Sequence, residues 1–167
     1  MGRLLKGIPG VRWGDLRDAR HAPAGEIPPL LSRVAYGGVE TALAALDELG
    51  DRICGLGFVV GEVTAATVPF LLELAAAPRL TCRAELLELL GNIVRADQWH
   101  SAAAAAGGGP GRPSYAEQLD WEVASRAAVL AGRPTAETLA ASVRPEEAGA
   151  ARELLRAMDE ARPFPTG

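Results

Sequence analysis

Apolar residues recur at helical spacing in the middle of the chain and define its two most distinct predicted elements. One face of the segment 39–53 carries Val39, Ala42, Leu43, Leu46, Leu49 and Ile53. Acidic residues lie off that face, so the pattern predicts an amphipathic helix over 39–53. In the segment 80–95 apolar positions cover most of the helical circumference. This broad apolar surface predicts a central helix that is contacted from several sides.

These two helices belong to a sequence repeat. Gly50 and Gly91 each end a leucine-rich amphipathic run, and they are 41 residues apart. Pro28 and Pro69 each begin an apolar run, and they are also 41 residues apart. Two different motifs with one offset predict duplicated helix pairs. The period falls close to the roughly 40–47 residues that are typical of HEAT and armadillo arrays.

The remaining periodic segments complete an all-α prediction. Further helices are expected at 26–36, 63–77, 114–130, 134–143 and 145–161. Together the elements predict an α–α superhelix of about seven helices in roughly three pairs. The predicted organisation is an N-terminal arm at 1–25, one helical domain at 26–162 with a Gly/Ala-rich loop at 98–113, and a tail at 163–167.

The helix predicted at 114–130 carries the tryptophan that is most informative for function. Its expected inward face is formed by Ala116, Leu119, Val123, Ala127 and Leu130. Trp121 lies two residues from Leu119 and therefore points away from that face. Two interpretations follow: Trp121 packs on the neighbouring loop, or it is an exposed anchor for a binding partner.

Several motifs resemble those of actinobacterial HEAT-repeat-like (armadillo-type) domain proteins. The motifs are Trp13-Gly14-Asp15-Leu16, Ile27-Pro28-Pro29-Leu30-Leu31, Ala35-Tyr36-Gly37 and Leu86-Leu87-x-Leu89-Leu90. The run 66–74, which contains Val68-Pro69-Phe70-Leu71-Leu72, resembles the second-helix motif of bacterial HEAT-like repeats more generally. The segment 127–134 is similar to a later junction of that family, although Arg133 replaces an apolar residue there. The resemblance implies a HEAT-like fold and says little about function, because its motifs are packing residues.

Composition and charge argue against some classes of function. The chain has 167 residues, a net charge of −4, a pI near 5.3 and a single lysine, Lys6. This balance disfavours nucleic-acid binding, which needs a clustered basic surface. The N-terminal sequence lacks a signal-peptide pattern and no run approaches a membrane span, so a cytoplasmic location is expected. Cys54 and Cys82 lie among apolar residues and are expected to be reduced and buried.

Candidate catalytic chemistry is sparse. His21 and His100 are the only histidines, and together with two distant cysteines they give no zinc-binding spacing. A nucleophile arrangement of Cys54, His100 and Asp97 can be imagined, but nothing in the spacing requires it. We therefore expect no enzyme activity, no metal and no cofactor.

Acidic and aromatic side chains are the best candidates for contact with another protein. Acidic residues at helical positions could line a groove: Glu40, Asp47, Asp51, Glu73, Glu88 and Asp97. Trp99 and His100 follow the central helix and could lie at the mouth of this groove, and Trp121 is the third aromatic candidate. Solvated helix faces are the simpler explanation of the carboxylates.

The sequence therefore predicts a protein-binding helical-repeat module, because such arrays form concave binding surfaces. The sharper hypothesis is an immunity protein that binds and neutralises a bacterial toxin. This step rests on lineage analogy. The alternatives are a regulatory or assembly adaptor protein and a HEAT-like nucleic-acid glycosylase, and the acidic charge argues against the glycosylase.

Overall fold

The fold is all-α, as predicted, in a computed structural model that describes residues 4–107, 109, 111, 114–161 and 163–164. Eight α-helices occur among these residues. They are α1 (Ile27–Tyr36), α2 (Val39–Ile53), α3 (Thr64–Ala75), α4 (Arg83–Arg95), α5 (Gln98–Ala106), α6 (Ala116–Leu130), α7 (Arg133–Ala140) and α8 (Pro145–Glu160). A two-stranded antiparallel hairpin, β1 (Cys54–Gly55) and β2 (Val59–Val60), follows α2.

The first helix pair follows directly from its sequence. Pro28 and Pro29 occupy the first turn of α1, where the backbone N–H groups have no intrahelical partners in any case. Helix α2 has the predicted bounds and buries Leu46 and Leu49. Val39, by contrast, is 55% exposed. The apolar stripe of α2 is therefore only partly buried, and its N-terminal end faces solvent.

Helix α4 is central, as its broad apolar surface predicted. It packs against α3, α6 and α8, and it also contacts α2. Its fully buried side chains are Leu86, Leu90 and Val94, with Leu87 and Ile93 almost fully buried. Burial of each such leucine contributes about 1.5–3 kcal/mol relative to an exposed position. Helix α3 contacts both α1 and α6, and helix α4 contacts both α2 and α8.

The 41-residue offset relates α2 to α4 closely and α1 to α3 less closely. Pro28 lies in the first turn of α1, whereas Pro69 lies inside α3. The difference arises because α3 begins earlier, at Thr64. The Thr64 hydroxyl accepts the Gly61 N–H at 2.9 Å and donates to the Ile53 carbonyl at 2.6 Å. These bonds hold an additional helical turn in front of the repeated motif.

The N-terminal arm is packed onto the helices over its described part, residues 4–25. The Trp13 indole is buried, donates to the Ile8 carbonyl and lies 5.7 Å from the Phe70 ring of α3. Asp18 is fully buried and forms an ion pair with Arg52 of α2 at 3.4 Å. The arm is therefore part of the folded core. Residues 1–3 lie outside the described residues.

The predicted loop at 98–113 is wrong in its first half, because Gln98–Ala106 forms helix α5. The physical reason is a carboxylate from a distant helix, Glu122 of α6, which accepts the N–H groups at the start of α5. Alanines then continue the helix readily. Residues 108, 110, 112 and 113 of this loop, and residues 162 and 165–167 at the C-terminal end, lie outside the described residues.

Within the part of the chain that the structure describes, no helix combines the length and apolar character that crossing a membrane requires.

Candidate functional site

An acidic groove lies between the repeated helices α2 and α4. Its volume is about 570 Å³. Four exposed carboxylates line it: Asp47 and Asp51 from α2, and Glu85 and Glu88 from α4. None of the described residues that line the groove is Lys or Arg. One cation reaches it from outside, because an Arg20 Nη2 atom lies 3.7 Å from Asp51. We call this surface the α2/α4 groove.

Two of these carboxylates are related by the sequence repeat. Asp47 and Glu88 are separated by the same 41 residues as Gly50 and Gly91. The same offset relates Asp51 to Asn92, which also lines the groove. The groove is thus built from equivalent positions of two helices. Applying the offset to Asp47 identifies Glu88 as its counterpart from sequence, whereas Glu85 corresponds to Ala44 and is not found in this way.

The cysteine at the groove is chemically unreactive. Cys54 lines the groove but is only 3% exposed, and burial raises the pKa of its thiol to about 12. A thiol with this pKa remains protonated at neutral pH and is a poor nucleophile. Asp97 and His100 line a different cavity. The structure therefore does not assemble Cys54, His100 and Asp97 into a nucleophile arrangement. Cys82 is also buried, as expected.

Apolar side chains are exposed beside the groove, at the turn of the β1–β2 hairpin. Leu56 is 85% exposed and Phe58 is 45% exposed. The backbone of Leu56 has φ = +56°, which is unusual for a bulky residue and costs of order 1–3 kcal/mol. Gly57, with φ = +85°, also lines the groove. The hairpin therefore holds a strained, solvent-exposed leucine at the edge of an acidic surface.

The predicted orientation of α6 is wrong. Trp121 is only 9% exposed, whereas Val123 is 47% exposed. The buried face of α6 carries Trp121, Glu122, Ser125, Arg126 and Val129. Periodicity of apolar residues cannot identify this face, because three of its five buried residues are polar. Trp121 packs beneath the arm, with the Arg17 guanidinium 5.4 Å from its ring, so it is not an exposed anchor.

The polar residues of α6 join the ends of two other helices. Glu122 accepts the N–H groups of Trp99 and His100, both at 2.9 Å, at the start of α5. Arg126 donates to the carbonyls of Val94 at 3.0 Å and Ala96 at 3.2 Å, at the end of α4. A negative group at a helix N-terminus and a positive group at a C-terminus also complement the helix dipoles. We call Glu122, Arg126 and His100 the polar junction.

Charge is retained inside the polar junction. Burial lowers the pKa of Arg126, and the carboxylates of Asp97 and Glu122 act in the opposite direction. A guanidinium nevertheless stays protonated at neutral pH. The Nδ1 atom of His100 lies 2.6 Å from a Glu122 oxygen. The junction thus combines a buried carboxylate and a cation, both hydrogen-bonded to the backbone, with an imidazole that contacts the carboxylate.

The structure places the nine predicted partner-binding residues in different parts of the molecule. Asp47, Asp51 and Glu88 meet in the α2/α4 groove. Glu40 is exposed in the first turn of α2, outside the residues that line this groove. Glu73 has a structural role, because its carboxylate accepts the Leu5 N–H at 2.7 Å. Sequence reasoning missed Glu85, which is the fourth carboxylate of the groove.

The remaining candidates lie around α5 and α6. Trp99 is half-buried, with its indole nitrogen 3.4 Å from the Val60 carbonyl and its ring 5.8 Å from Tyr115. Asp97 and His100 line a second cavity of about 480 Å³. No cluster of three or more His, Cys, Asp or Glu side chains suitable for a metal occurs among the described residues. Comparisons with protein-family models, curated proteins and solved structures found no match for this chain.

Proposed function

We propose that this protein is a protein-binding module whose α2/α4 groove receives a basic segment of a partner protein. The observation that carries the proposal is the convergence of four exposed carboxylates on one groove that no described Lys or Arg lines. Like charges placed close together repel one another in the free protein. A partner with Lys or Arg side chains would relieve that repulsion and would be attracted over a distance before contact.

The groove also favours a partner with apolar residues beside its basic ones. Leu43 lines the groove and is 37% exposed, and Leu56 extends from the hairpin at its edge. Exposed leucines beside a charged surface are typical of a protein interface with an apolar centre and a polar rim. The proposed partner segment therefore carries at least one large apolar side chain next to its cations.

The sharper proposal is neutralisation of a bacterial toxin domain by an immunity protein that acts in the cytoplasm without catalysis. It draws on the acidic groove and on the resemblance to actinobacterial HEAT-repeat-like proteins. An adaptor in a regulatory or assembly complex is the alternative, and it would use the same groove. A nucleic-acid glycosylase fits less well, since four carboxylates repel phosphate and Trp121 is buried.

The test combines affinity purification with charge variants of the groove. The tagged protein would be purified from its own host beside a double variant, Asp47→Asn with Glu88→Gln. The control is Glu137→Gln, which removes one exposed carboxylate from α7, outside the groove. Each exposed charge pair contributes about 0.2–1 kcal/mol, so we expect the double variant to bind its partner roughly 2–30 times more weakly.

The outcome also distinguishes the sharper proposals. A toxin-like protein that binds the wild type and the control equally, and the double variant more weakly, supports the immunity proposal. A housekeeping complex with the same dependence supports the adaptor. Undiminished binding to the double variant would refute the groove as the binding surface. Co-purification of nucleic acid with steep salt dependence would favour the glycosylase instead.

A further inference from the structure

An aromatic ring from the C-terminal tail lies between two side chains of the polar junction. The Phe164 and His100 rings are stacked, with centroids 3.7 Å apart and planes inclined by 10°. The Arg126 guanidinium carbon lies 3.6 Å from the centre of the same phenyl ring. Phe164 therefore occupies a slot with an imidazole and a guanidinium as its walls. We call this the ring slot.

The two walls of the ring slot are held by contacts that do not involve Phe164. Arg126 is fixed by its bonds to the Val94 and Ala96 carbonyls. His100 is fixed through its backbone N–H and its Nδ1 atom, both of which contact Glu122. The ring itself follows α8, which ends at Glu160. The receptor is thus preorganised by α4, α5 and α6, and the occupant is supplied by a separate segment.

The chemistry of the slot selects a neutral aromatic ring. A guanidinium over the face of a ring and a parallel imidazole both favour an electron-rich π-system. The surrounding cavity of about 480 Å³ is also lined by the carboxylate residues Asp97 and Glu160. Arg95 and Arg126 line the same cavity, so its two carboxylates are balanced by two guanidinium groups and the site favours a ring without net charge.

We propose that the ring slot is a recognition site for one aromatic side chain on an extended segment of a partner protein, and that Phe164 is its tethered, displaceable occupant. A tether of a few residues gives its ring an effective concentration on the order of millimolar, so a partner must compete with the tail. The slot and the α2/α4 groove are separate cavities. This inference therefore does not depend on the function proposed for the groove.

The test uses the imidazole NMR signals of the full chain, because the chain has only two histidines. His21→Gln assigns the two sets of signals, and His21 then serves as the internal control. A phenyl ring stacked on His100 displaces its signals upfield. We expect Phe164→Ala to remove this displacement, Phe164→Tyr to retain it and Phe164→Leu to remove it. A cooperative thermal transition checks that each variant is folded.

In the second step, a separate peptide that contains phenylalanine is added to the Phe164→Ala variant. The probe is an acetylated peptide that copies residues 161–166, Ala-Arg-Pro-Phe-Pro-Thr. The control peptide has alanine in place of its phenylalanine, and AMP is the comparison ligand. We expect saturable restoration of the upfield shift by the first peptide alone. The same peptide should bind the wild-type chain several times more weakly, because the tethered ring competes.

Three results would overturn the proposal. If Phe164→Ala leaves the His100 signals unchanged, the ring does not occupy the slot in solution. If the signals change but the phenylalanine peptide has no effect on them, the ring is a fixed structural contact and not a displaceable occupant. If AMP saturates the slot and the peptide does not, the slot recognises nucleotides and not aromatic side chains.

Discussion

The repeat region, formed by α1 to α4, and the polar junction are built on opposite principles. The repeat region is held by aliphatic side chains such as Leu31, Leu71 and Leu90, all fully buried. The polar junction is held by Glu122 and Arg126, whose charges are also largely or fully buried. Hydrophobic spacing predicted the helices of the first region. In the second region it predicted helix α6 but the wrong buried face of that helix. A side chain can therefore be buried either because it is apolar or because its polar and charged groups have hydrogen-bond partners.

The two regions also differ in how much sequence change they tolerate. Aliphatic packing tolerates exchanges of similar volume. A buried carboxylate, in contrast, must have its hydrogen-bond donors in place, and losing one leaves an uncompensated polar group. Glu122 accepts bonds from two successive N–H groups, and so it determines where α5 begins. We conclude that the junction specifies geometry while the repeat region supplies most of the apolar burial.

The largest expected effect is at Glu122. In Glu122→Gln, an amide NH₂ group replaces one of the two carboxylate oxygens. It must then face the backbone N–H of either Trp99 or His100, so two hydrogen-bond donors point at each other. We expect a loss of about 2–3 kcal/mol in the free energy of unfolding, measured with urea. The matched exchange in the repeat region, Leu90→Met, should cost less than about 1.5 kcal/mol. Equal losses would remove the distinction between the two regions.

The second prediction concerns Gly61, a position before α3 where close backbone packing excludes a side chain. A Cβ atom at Gly61 would lie 2.6 Å from the Asp18 carbonyl carbon and 2.7 Å from the Ala19 nitrogen. These are backbone atoms and cannot rotate away. We expect Gly61→Ala to cost about 1–2 kcal/mol and to remove hydrogen-exchange protection of the Ala19 amide, which donates to the Arg52 carbonyl.

The control for this prediction is Gly14→Ala in the same arm, where a Cβ atom would meet nothing within 4 Å. Its exchange protection at Ala19 should equal that of the wild type. If Gly61→Ala also leaves the protection unchanged, the arm is not held in the close contact described.

The third prediction concerns the buried thiol of Cys54, whose pKa is shifted by burial. Burial raises the pKa of the Cys54 thiol from 9.0 to about 12. The folded state therefore holds the proton more tightly than the unfolded state. This stabilisation is fully present below pH 9 and is lost as the pH rises towards 12.

At pH 10 the expected loss from Cys54 is about 1.4 kcal/mol. Unfolding curves at pH 8 and pH 10 would measure it, and the difference between the wild type and Cys54→Ala isolates this thiol from other titrating groups. A pH dependence identical in the two proteins would show that ionisation of Cys54 is not linked to unfolding.

The smallest effect is expected in the α2/α4 groove. A Cβ atom at Gly50 would meet only the Leu89 Cδ1 atom, at an ordinary distance of 3.8 Å. Gly50→Ala should therefore raise the unfolding free energy by roughly 0.5–1 kcal/mol through helix propensity. Gly132→Ala is the contrasting variant, because its Cβ atom would collide with the Leu72 side chain. Destabilisation by Gly50→Ala would show that α2 and α4 approach more closely than described.

Much of the fold could be predicted from the sequence because its signals are local. The bounds of α2 follow from apolar periodicity, and the first turn of α1 follows from Pro28 and Pro29. Three of the four groove carboxylates were also candidates, since they occupy exposed helical positions. Trp121 was misjudged because its environment depends on Arg17 of the arm, which is more than one hundred residues away in the sequence.

The sequence by itself determined that the chain is helical, that two of its helix pairs are related by a 41-residue offset, and that its charge is acidic. Only the tertiary structure decided which face of α6 is buried, where α5 begins and that Phe164 lies between His100 and Arg126. The physical reason is that helix propensity and apolar periodicity act between near neighbours in the chain. A buried charge depends on donors and acceptors that meet only after the helices have packed.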